Sequence, residues 1–500
     1  MIIAPINCAC MQTNFVHENP LQELDDTHIS KLIVYFTDKF KKSKPELFIE
    51  KDDSVPGPKV KHKQSEMLGL YVFATFRGNK SCRKIEEFLS DKSAACKYIT
   101  NNKPPKKSLI NDFKNTYEYL IDEFFKYTVK LGFNFKLVDF KVVSIDSTPI
   151  EAHVNEYRSL SIAQVTYLED LIIDYSFNKS TRPVWNKIKR YFYNDELPSE
   201  MIELIDEIYH NLNKYGRELL QVALYSQKSR DNILGVILEL KENYDGSNNI
   251  NLTDSSSRKM HMKNGTKRFA YLLQTVKDVK TGFTIMQKVV QDKTDRYQLK
   301  PAIDYIIETY NMTPEYILAD NGYYGLDQIE YAYSKGIMPV IPDRNDAMKT
   351  NGTKNDNGYA KCNWPFNPRK LTFTCPYNQE LTVQGVKVIN DVLNLVFRTH
   401  ACPECPYKKE CAKNNKYRTL YEPFNPYFFD RKEIFLSNKG KMLYKLRAIH
   451  SEGGFNELKH IQKFDHSDRV GIEKVEIDLK LEAIVSNLKK LRTHLNVTLI

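Results

Sequence analysis

Val142-Val143-Ser144-Ile145-Asp146 and Tyr316-Ile317-Leu318-Ala319-Asp320 are two uncharged, largely apolar runs that each end in an aspartate. Runs this short and this rich in β-branched residues read as buried strands. The text around the second run supports that reading. Phe269 to Val276 and Phe283 to Val290 flank Lys280-Thr281-Gly282, a hairpin signal. A helical pattern from about Tyr297 to Tyr310 leads into the second run. A helix over Leu326 to Ser334 and a short strand over Met338 to Ile341 follow it. Strand, helix and strand in alternation predict an α/β fold. In open α/β sheets ligands bind beyond the carboxyl ends of the strands, which places Asp146 and Asp320 at one crevice. Carboxylates gathered there suit a hard cation such as Mg²⁺. Strand-end aspartates also commonly cap the next helix, and the residues alone leave both readings open.

Outward from this centre the chain divides by pattern. Residues 17–58 read as a lead-in that ends in the breaker run Ser54-Val55-Pro56-Gly57-Pro58. From Gln64 to Leu131 the periodicity is helical: Leu68, Val72 and Phe76 suit one helix, and Ile85, Phe88 and Leu89 a second. Ser108 is placed to cap a longer helix running to about Lys130. Short basic helices with a Pro-containing loop fit a helix-turn-helix module and a plain bundle equally. Residues 165–245 are charged and helical, with Met201, Leu204, Ile208 and Leu212 on one face closed by Gly216. Residues 343–436, rich in Asn, Pro, Lys and Cys, break the α/β pattern, and the last 60 residues return to helix.

Five hundred residues with 41% hydrophobic and 27% charged side chains describe a folded chain of two to four domains, not a disordered or collagenous one. The formal net charge is +10, and Lys59 to Lys107 holds 12 basic against 4 acidic residues. A basic patch of that density suggests a polyanionic partner, nucleic acid above all, although a solvated basic surface explains the charge as well. No run reaches the roughly 18 apolar residues of a spanning helix. Met1 to Val16 lacks the basic start of a signal peptide. The expectation is a cytoplasmic protein without a membrane partner. No Gly-Lys-Ser/Thr phosphate loop is present, so nucleotide hydrolysis is not indicated.

A further cluster lies in Leu443-Tyr444-Lys445-Leu446-Arg447-Ala448-Ile449-His450-Ser451-Glu452, continuing to Lys459. On an uninterrupted helix Tyr444, Arg447, Glu452 and Lys459 share an arc of roughly 140°. One face would carry a metal-binding carboxylate with two phosphate-binding cations beside it. Ordinary surface salt bridges explain the same face. Gly453-Gly454 is expected to weaken the helix by about 1 kcal/mol per glycine.

Taken together these motifs resemble the DDE-type transposases of bacterial insertion sequences, in particular the group with a Tyr-Arg-Glu-Lys signature around its catalytic glutamate. Ser144-Ile145-Asp146-Ser147-Thr148-Pro149-Ile150-Glu151-Ala152 is similar to the family's first-aspartate motif. Leu318-Ala319-Asp320-Asn321-Gly322-Tyr323-Tyr324-Gly325 is similar to its second. Thr253-Asp254, Arg258, Met260 and Asp295 resemble further landmarks, and Arg469-Val470-Gly471 through Asn487-Leu488-Lys489-Lys490-Leu491 resembles its C-terminal segment. The likeness runs over about residues 64–492.

The resemblance implies a ribonuclease H-like mixed-sheet catalytic core over 136–342 and 437–500. A helical insertion would occupy about 160–250 and a Cys-rich one 343–436. A helical, helix-turn-helix-like DNA-binding domain would span 59–135, after a lead-in over 1–58. It implies catalytic and metal-binding roles for Asp146, Asp320 and Glu452 with Mg²⁺ or Mn²⁺, and DNA contacts by Tyr444, Arg447 and Lys459. The implied activity is two-metal-ion cleavage at terminal inverted repeats, followed by joining of the 3′-hydroxyl to target DNA. The implied partner is double-stranded DNA, bound by a homodimer associated with the nucleoid. Where the family usually has Tyr-Asn this chain has Leu272-Leu273, which motivates an alternative, an inactive DNA-binding relative. A ribonuclease H-like nuclease that cuts without joining is a third reading.

Cys375, Cys402, Cys405 and Cys411 sit at close spacing, and only one Cys-x₂-Cys is present. Four thiolates suit tetrahedral structural Zn²⁺, with free thiols as the other reading. The family shows a similar Cys pattern, which carries the zinc expectation onto these four positions.

Overall fold

The computed structural model describes residues 24–25, 28–49, 62–194, 199–242, 246, 249–262, 264–350 and 358–498. The breaker run over 54–58 lies outside them. Eight strands precede the Cys-rich segment: β1 (Val142–Glu151), β2 (Ser159–Ser161), β3 (Asn249–Asn251), β4 (Arg258–His261), β5 (Lys267–Asp278), β6 (Phe283–Val290), β7 (Tyr316–Leu318) and β8 (Met338–Val340). The central sheet runs β4-β5-β1-β7-β8, with β6 also on β5. β1 is antiparallel to β5 and parallel to β7, and β8 is parallel to β7. This mixed sheet is compatible with a ribonuclease H-like core.

Local chemistry explains the topology. The β5–β6 hairpin closes because Gly282 adopts φ +69°, donates its N–H to the Asp278 carbonyl at 2.9 Å, and leaves the strands antiparallel. The parallel pair β7 and β8 needs a crossover, which the helix Leu326–Ser334 supplies. Side chains alternate along β1, so Val143 and Ile145 face one core while Ser144, Asp146 and Ile150 face the other side. On the first side Val143, Ile145, Val276 and Ile285 bury against helices from both ends of the chain. On the second, Ile150, Tyr271 and Leu273 bury against Leu458, Phe464, Val475 and Leu479.

Three expectations about the N-terminal region change. The segment read as a lead-in contributes the helix Ile29–Ser43, whose Ile33, Phe36 and Phe40 are buried. The helices Gln64–Phe76, Cys82–Leu89, Ala94–Thr100, Lys107–Thr116 and Glu118–Asn134 do not enclose a core of their own. Leu68, Phe124 and Leu120 share one apolar cluster with Val276 on β5 and Leu488 near the C-terminus. The expected long helix from Ser108 is interrupted at Tyr117, and Ser108 lies inside its first turn with Lys106 at the cap.

The helical insertion does have its own core, built from Leu168, Ile172, Trp185, Ile205, Ile208 and Leu220, among others. The pairing of β2 with β3 closes its base. Gly216 does not end a helix there. It sits in the first turn of Lys214–Tyr225, whose cap is Asn213 accepting from the Gly216 N–H at 2.8 Å.

The Cys-rich segment forms a second sheet of β9 (Phe366–Asn367), β10 (Thr372–Thr374), β11 (Glu380–Ile389), β12 (Val392–Arg398) and β13 (Leu420–Pro423), in order β13-β12-β11-β10-β9. Its core is Trp364, Phe373, Leu381, Phe397 and Leu420. A buried ionic group ties it to the central sheet. Arg431, fully buried on the helix Pro426–Leu436, reaches Asp343 at 3.2 Å and Asp346 at 3.3 Å just after β8. Lys432 adds 2.6 Å to Asp343. Removing one partner of such a group strands a buried charge, which fixes how the segment docks.

The C-terminal helix Ile472–Thr498 covers the β6 edge. Asn487 accepts from the Thr284 N–H and donates to its carbonyl, both at 2.9 Å. Glu476 accepts from the Val289 N–H at 3.1 Å. Side chains thus satisfy edge groups that would otherwise invite another strand.

Candidate active site

Asp146 lies inside β1, and Asp320 directly follows β7, the strand beside it. Parallel pairing of Val142–Ser144 with Tyr316–Leu318 sets both aspartates just beyond the end of β7, but β1 does not end at Asp146 as the sequence reading expects: it runs on to Glu151, paired with β5. Asp146 accepts from the Ser147 N–H at 2.9 Å, and Asp320 caps the turn Asn321–Tyr323 by accepting from the Gly322 N–H at 2.8 Å. Asp320 thus takes the capping role that the alternative reading expected of it. Tyr323 is buried beneath both carboxylates, and its phenol is pushed far up by burial first and then by Asp295, Asp146 and Asp320.

The helix Asn438–Asn456 packs across this end of the sheet. Arg447 Nη1 stands 3.3 Å from Asp146 Oδ2, with its guanidinium 5.3 Å from the centre of the Tyr444 ring. Burial pushes the Tyr444 phenol up; Arg447 opposes that shift, and Asp320 and Asp146 reinforce it. Tyr444 and Arg447 therefore belong with the two aspartates. Glu452 lies on the same helix, five residues beyond Arg447, with its side chain outside the described residues.

The helix face departs from the ideal drawn from sequence. It continues through Gly453-Gly454 to Asn456, then opens into a π-helical turn over Glu457–Ile461, where Gln462 N–H bonds the Glu457 carbonyl at 2.8 Å. The wider turn breaks the straight seven-residue line from Glu452 to Lys459. Lys459 instead donates to the Pro149 carbonyl on β1 at 2.8 Å. Gly454 has a steric reason. A Cβ there would overlap the end of the Lys277 side chain, and Lys277 is a buried β5 residue opposite Ser144. Burial holds the Lys277 ammonium down to about 8, with Lys490 lowering it further and Glu457 opposing.

Three polar side chains that the sequence did not bring together complete the site. Gln274 on β5, opposite Ser147, donates to Asp295 Oδ1 at 2.8 Å and accepts from the Tyr323 hydroxyl at 2.5 Å. Asp295 had a landmark position but no role; Gln274 gave no signal beyond its strand.

In the Cys-rich segment, Cys375, Cys402, Cys405 and Cys411 line one small cavity with Trp364 and Arg418, and all are free thiols. Burial pushes the Cys411 thiol up; Arg418 opposes this, and the other three cysteines add to it. Among the described residues no group of three or more His, Cys, Asp or Glu side chains is already arranged as a metal site. The donor types nonetheless match their expected ions, carboxylate oxygens at the strand ends and sulfurs in the insertion.

Residues 374–492 match the family model described as a transposase DDE domain. Over these residues the chain is similar to the DDE-type transposases. The match begins beside Cys375 and spans the cysteine cluster, the helix bearing Tyr444, Arg447 and Glu452, and most of the last helix; Asp146 and Asp320 lie upstream of it. A transposase acts on DNA, and its family works with divalent metal ions. No curated protein and no solved structure matches significantly. Among the described residues no helix is long and apolar enough to cross a membrane.

Proposed function

We propose that this chain cleaves DNA at the inverted repeats of an insertion sequence and joins the freed 3′-hydroxyl to a target duplex. The observation that carries the proposal is the meeting of Asp146, Asp320, Tyr444 and Arg447 at one end of the central sheet, with the match to a transposase DDE domain alongside.

Asp146, Asp320 and Glu452 would hold the divalent ions. Carboxylates suit them because they neutralise the cations without themselves attacking the phosphodiester. When bound, the ions lower the cost of forming the attacking oxygen and of releasing the 3′ oxygen. Arg447 offers a planar, always-charged fork that can share itself between Asp146 and a phosphate next to the scissile bond. Tyr444 stacks against that fork and fixes its direction. Lys459 braces the π-helical turn against β1 through the Pro149 carbonyl, and its charge would add a phosphate contact there. The basic residues between Lys59 and Lys107 would grip the repeat through phosphates, which set register and much of the affinity. The active species would be a homodimer on DNA, in the cytoplasm and associated with the nucleoid.

The Cys-rich insertion would carry one structural Zn²⁺ on Cys375, Cys402, Cys405 and Cys411. Its support is the shared cavity of the four thiols.

The test uses the purified chain, Mg²⁺ and labelled duplexes carrying the DNA that flanks its gene. Cleavage at repeat ends followed by joining of the 3′-end is expected. Asp146→Asn, Asp320→Asn and Glu452→Gln should each abolish cleavage and keep end binding. Binding without cleavage at any Mg²⁺ or Mn²⁺ concentration would make the chain an inactive DNA-binding relative. Cleavage without joining would make it a nuclease.

A further inference from the structure

We infer that Asp295 is a positioning residue for the second aspartate, acting through Gln274 and Tyr323. The inference rests on the cleavage reading above and assigns Asp295 no direct contact with DNA.

The geometry is that of a bracket spanning three separate parts of the sheet. Asp295 stands between β6 and the helix Leu299–Tyr310, and its Oδ1 accepts from Gln274 Nε2 at 2.8 Å. Gln274 projects from β5 directly opposite Ser147, the neighbour of Asp146. Its other amide atom, Oε1, accepts from the Tyr323 hydroxyl at 2.5 Å. Tyr323, fully buried, is the last residue of the short turn that Asp320 caps. The chain of bonds therefore runs from Asp295 through the strand beside Asp146 to the turn that aims Asp320.

The far end of the bracket closes on the same turn. A Cβ at Gly322 would stand 3.0 Å from Asp320 Oδ1 and 3.4 Å from Asp295 Oδ2, so the two carboxylates lie on either side of the space beside this one glycine. Asp320 accepts from the Gly322 N–H at 2.8 Å, and Tyr323 closes the turn beneath. Every amide atom of Gln274 that the bracket needs is used in one sense only: its NH₂ must face the carboxylate, so its carbonyl must face the phenol. That polarity makes Asp295 the group that orients Gln274. A neutral hydrophobic residue at 295 would free the amide to flip and would leave the buried Tyr323 hydroxyl without its acceptor.

A positioning role predicts loss of rate rather than loss of grip. Asp295→Ala and Gln274→Leu should each lower the cleavage rate at saturating DNA by about 10-fold or more, with end-binding affinity within about 2-fold of wild type. The double variant should lose little more than the worse single variant, because both break one chain of bonds. Asp295→Asn keeps an acceptor for Gln274 and should recover most of the rate lost in Asp295→Ala. Melting temperatures of all four proteins serve as the fold control. A wild-type rate in Asp295→Ala, or additive losses in the double variant, would overturn the inference. So would an Asp295→Asn variant as slow as Asp295→Ala. These outcomes are read against Asp320→Asn: if wild type cleaves and Asp320→Asn does not, the cleavage reading stands whatever Asp295 does. If wild type itself does not cleave, that reading has failed, and the inference falls with it.

Discussion

Glu482 gives the sharpest stability prediction. It sits on the last helix, 2% exposed, with Lys80 at 3.5 Å as its cation. Lys80 comes from the loop between two N-terminal helices, where it also donates to the Lys463 carbonyl at 2.9 Å and lies 4.5 Å from the Phe464 ring centre. The pair thus ties the N-terminal helices to the C-terminal segment. Burial pushes the Glu482 carboxyl up from 4.5 to about 7, with Lys80 only partly opposing it, and burial likewise lowers the Lys80 ammonium. A carboxyl whose pKa is raised on folding binds more protons folded than unfolded. Its contribution is therefore complete below the unfolded value near 4.5 and is lost as pH climbs through about 7. The shift corresponds to about 3 kcal/mol lost between pH 4.5 and 8. Glu482→Gln keeps the shape and removes the charging step. Its melting temperature relative to wild type should rise by about 3 °C between pH 5 and pH 8 if the chain melts as one unit, and by more if the unit is smaller. Calorimetry of both proteins across that range measures the difference. A difference that stays flat with pH would refute the reasoning, and one that falls would reverse its sign.

Other consequences follow from the packing of the helix Asn438–Asn456 and the insertion. Gly454→Ala drives a methyl into Lys277 and should slow cleavage with little effect on DNA affinity, and adding Lys277→Ala should restore much of the rate; single-turnover kinetics decide this. Lys459→Ala should flatten the slope of log affinity against log salt by about one unit. The same variant loses the bond to Pro149, so its stability should fall by about 1 kcal/mol. An unchanged salt slope would leave Lys459 purely structural. The purified chain should carry about one Zn per molecule, released by Cys402→Ser with Cys405→Ser; elemental analysis finding none, with all thiols titratable, would contradict it.

Much of the sheet was legible because its strands hold short apolar runs with clear turn chemistry: β7, the start of β1 and the hairpin at Gly282 fall where the residues place them. Asp320 could be read because it ends an apolar run; Asp146 follows one too, but β1 runs on past it to Glu151 through the polar Ser147-Thr148 and Pro149, which hid the rest of that strand. Less legible was everything held by long-range contacts. The helical periodicity of the N-terminal region fits a bundle, yet Leu120 and Phe124 share their cluster with Val276 and Leu488, which lie far along the chain, so the N-terminal helices join the central core. The second sheet was hidden because much of β11 is exposed, and Val386 and Val388 alternate without a buried face. The Gln274 bracket and the π turn at Glu457 leave no periodic trace at all. Gly453-Gly454 suggested a weakened helix, and only the approach of Lys277 gives Gly454 its purpose.

The central claim is that β1, the turn after β7 and the helix Asn438–Asn456 hold one metal centre. Iron(II) in place of Mg²⁺, with ascorbate and peroxide, cuts a protein backbone only beside the bound ion, so the fragment ends map the site directly. Cuts are expected near residues 146, 320 and 452, suppressed by excess Mg²⁺ and lost in Asp146→Asn. Cuts confined to other segments, or a pattern that neither Mg²⁺ nor Asp146→Asn alters, would contradict it.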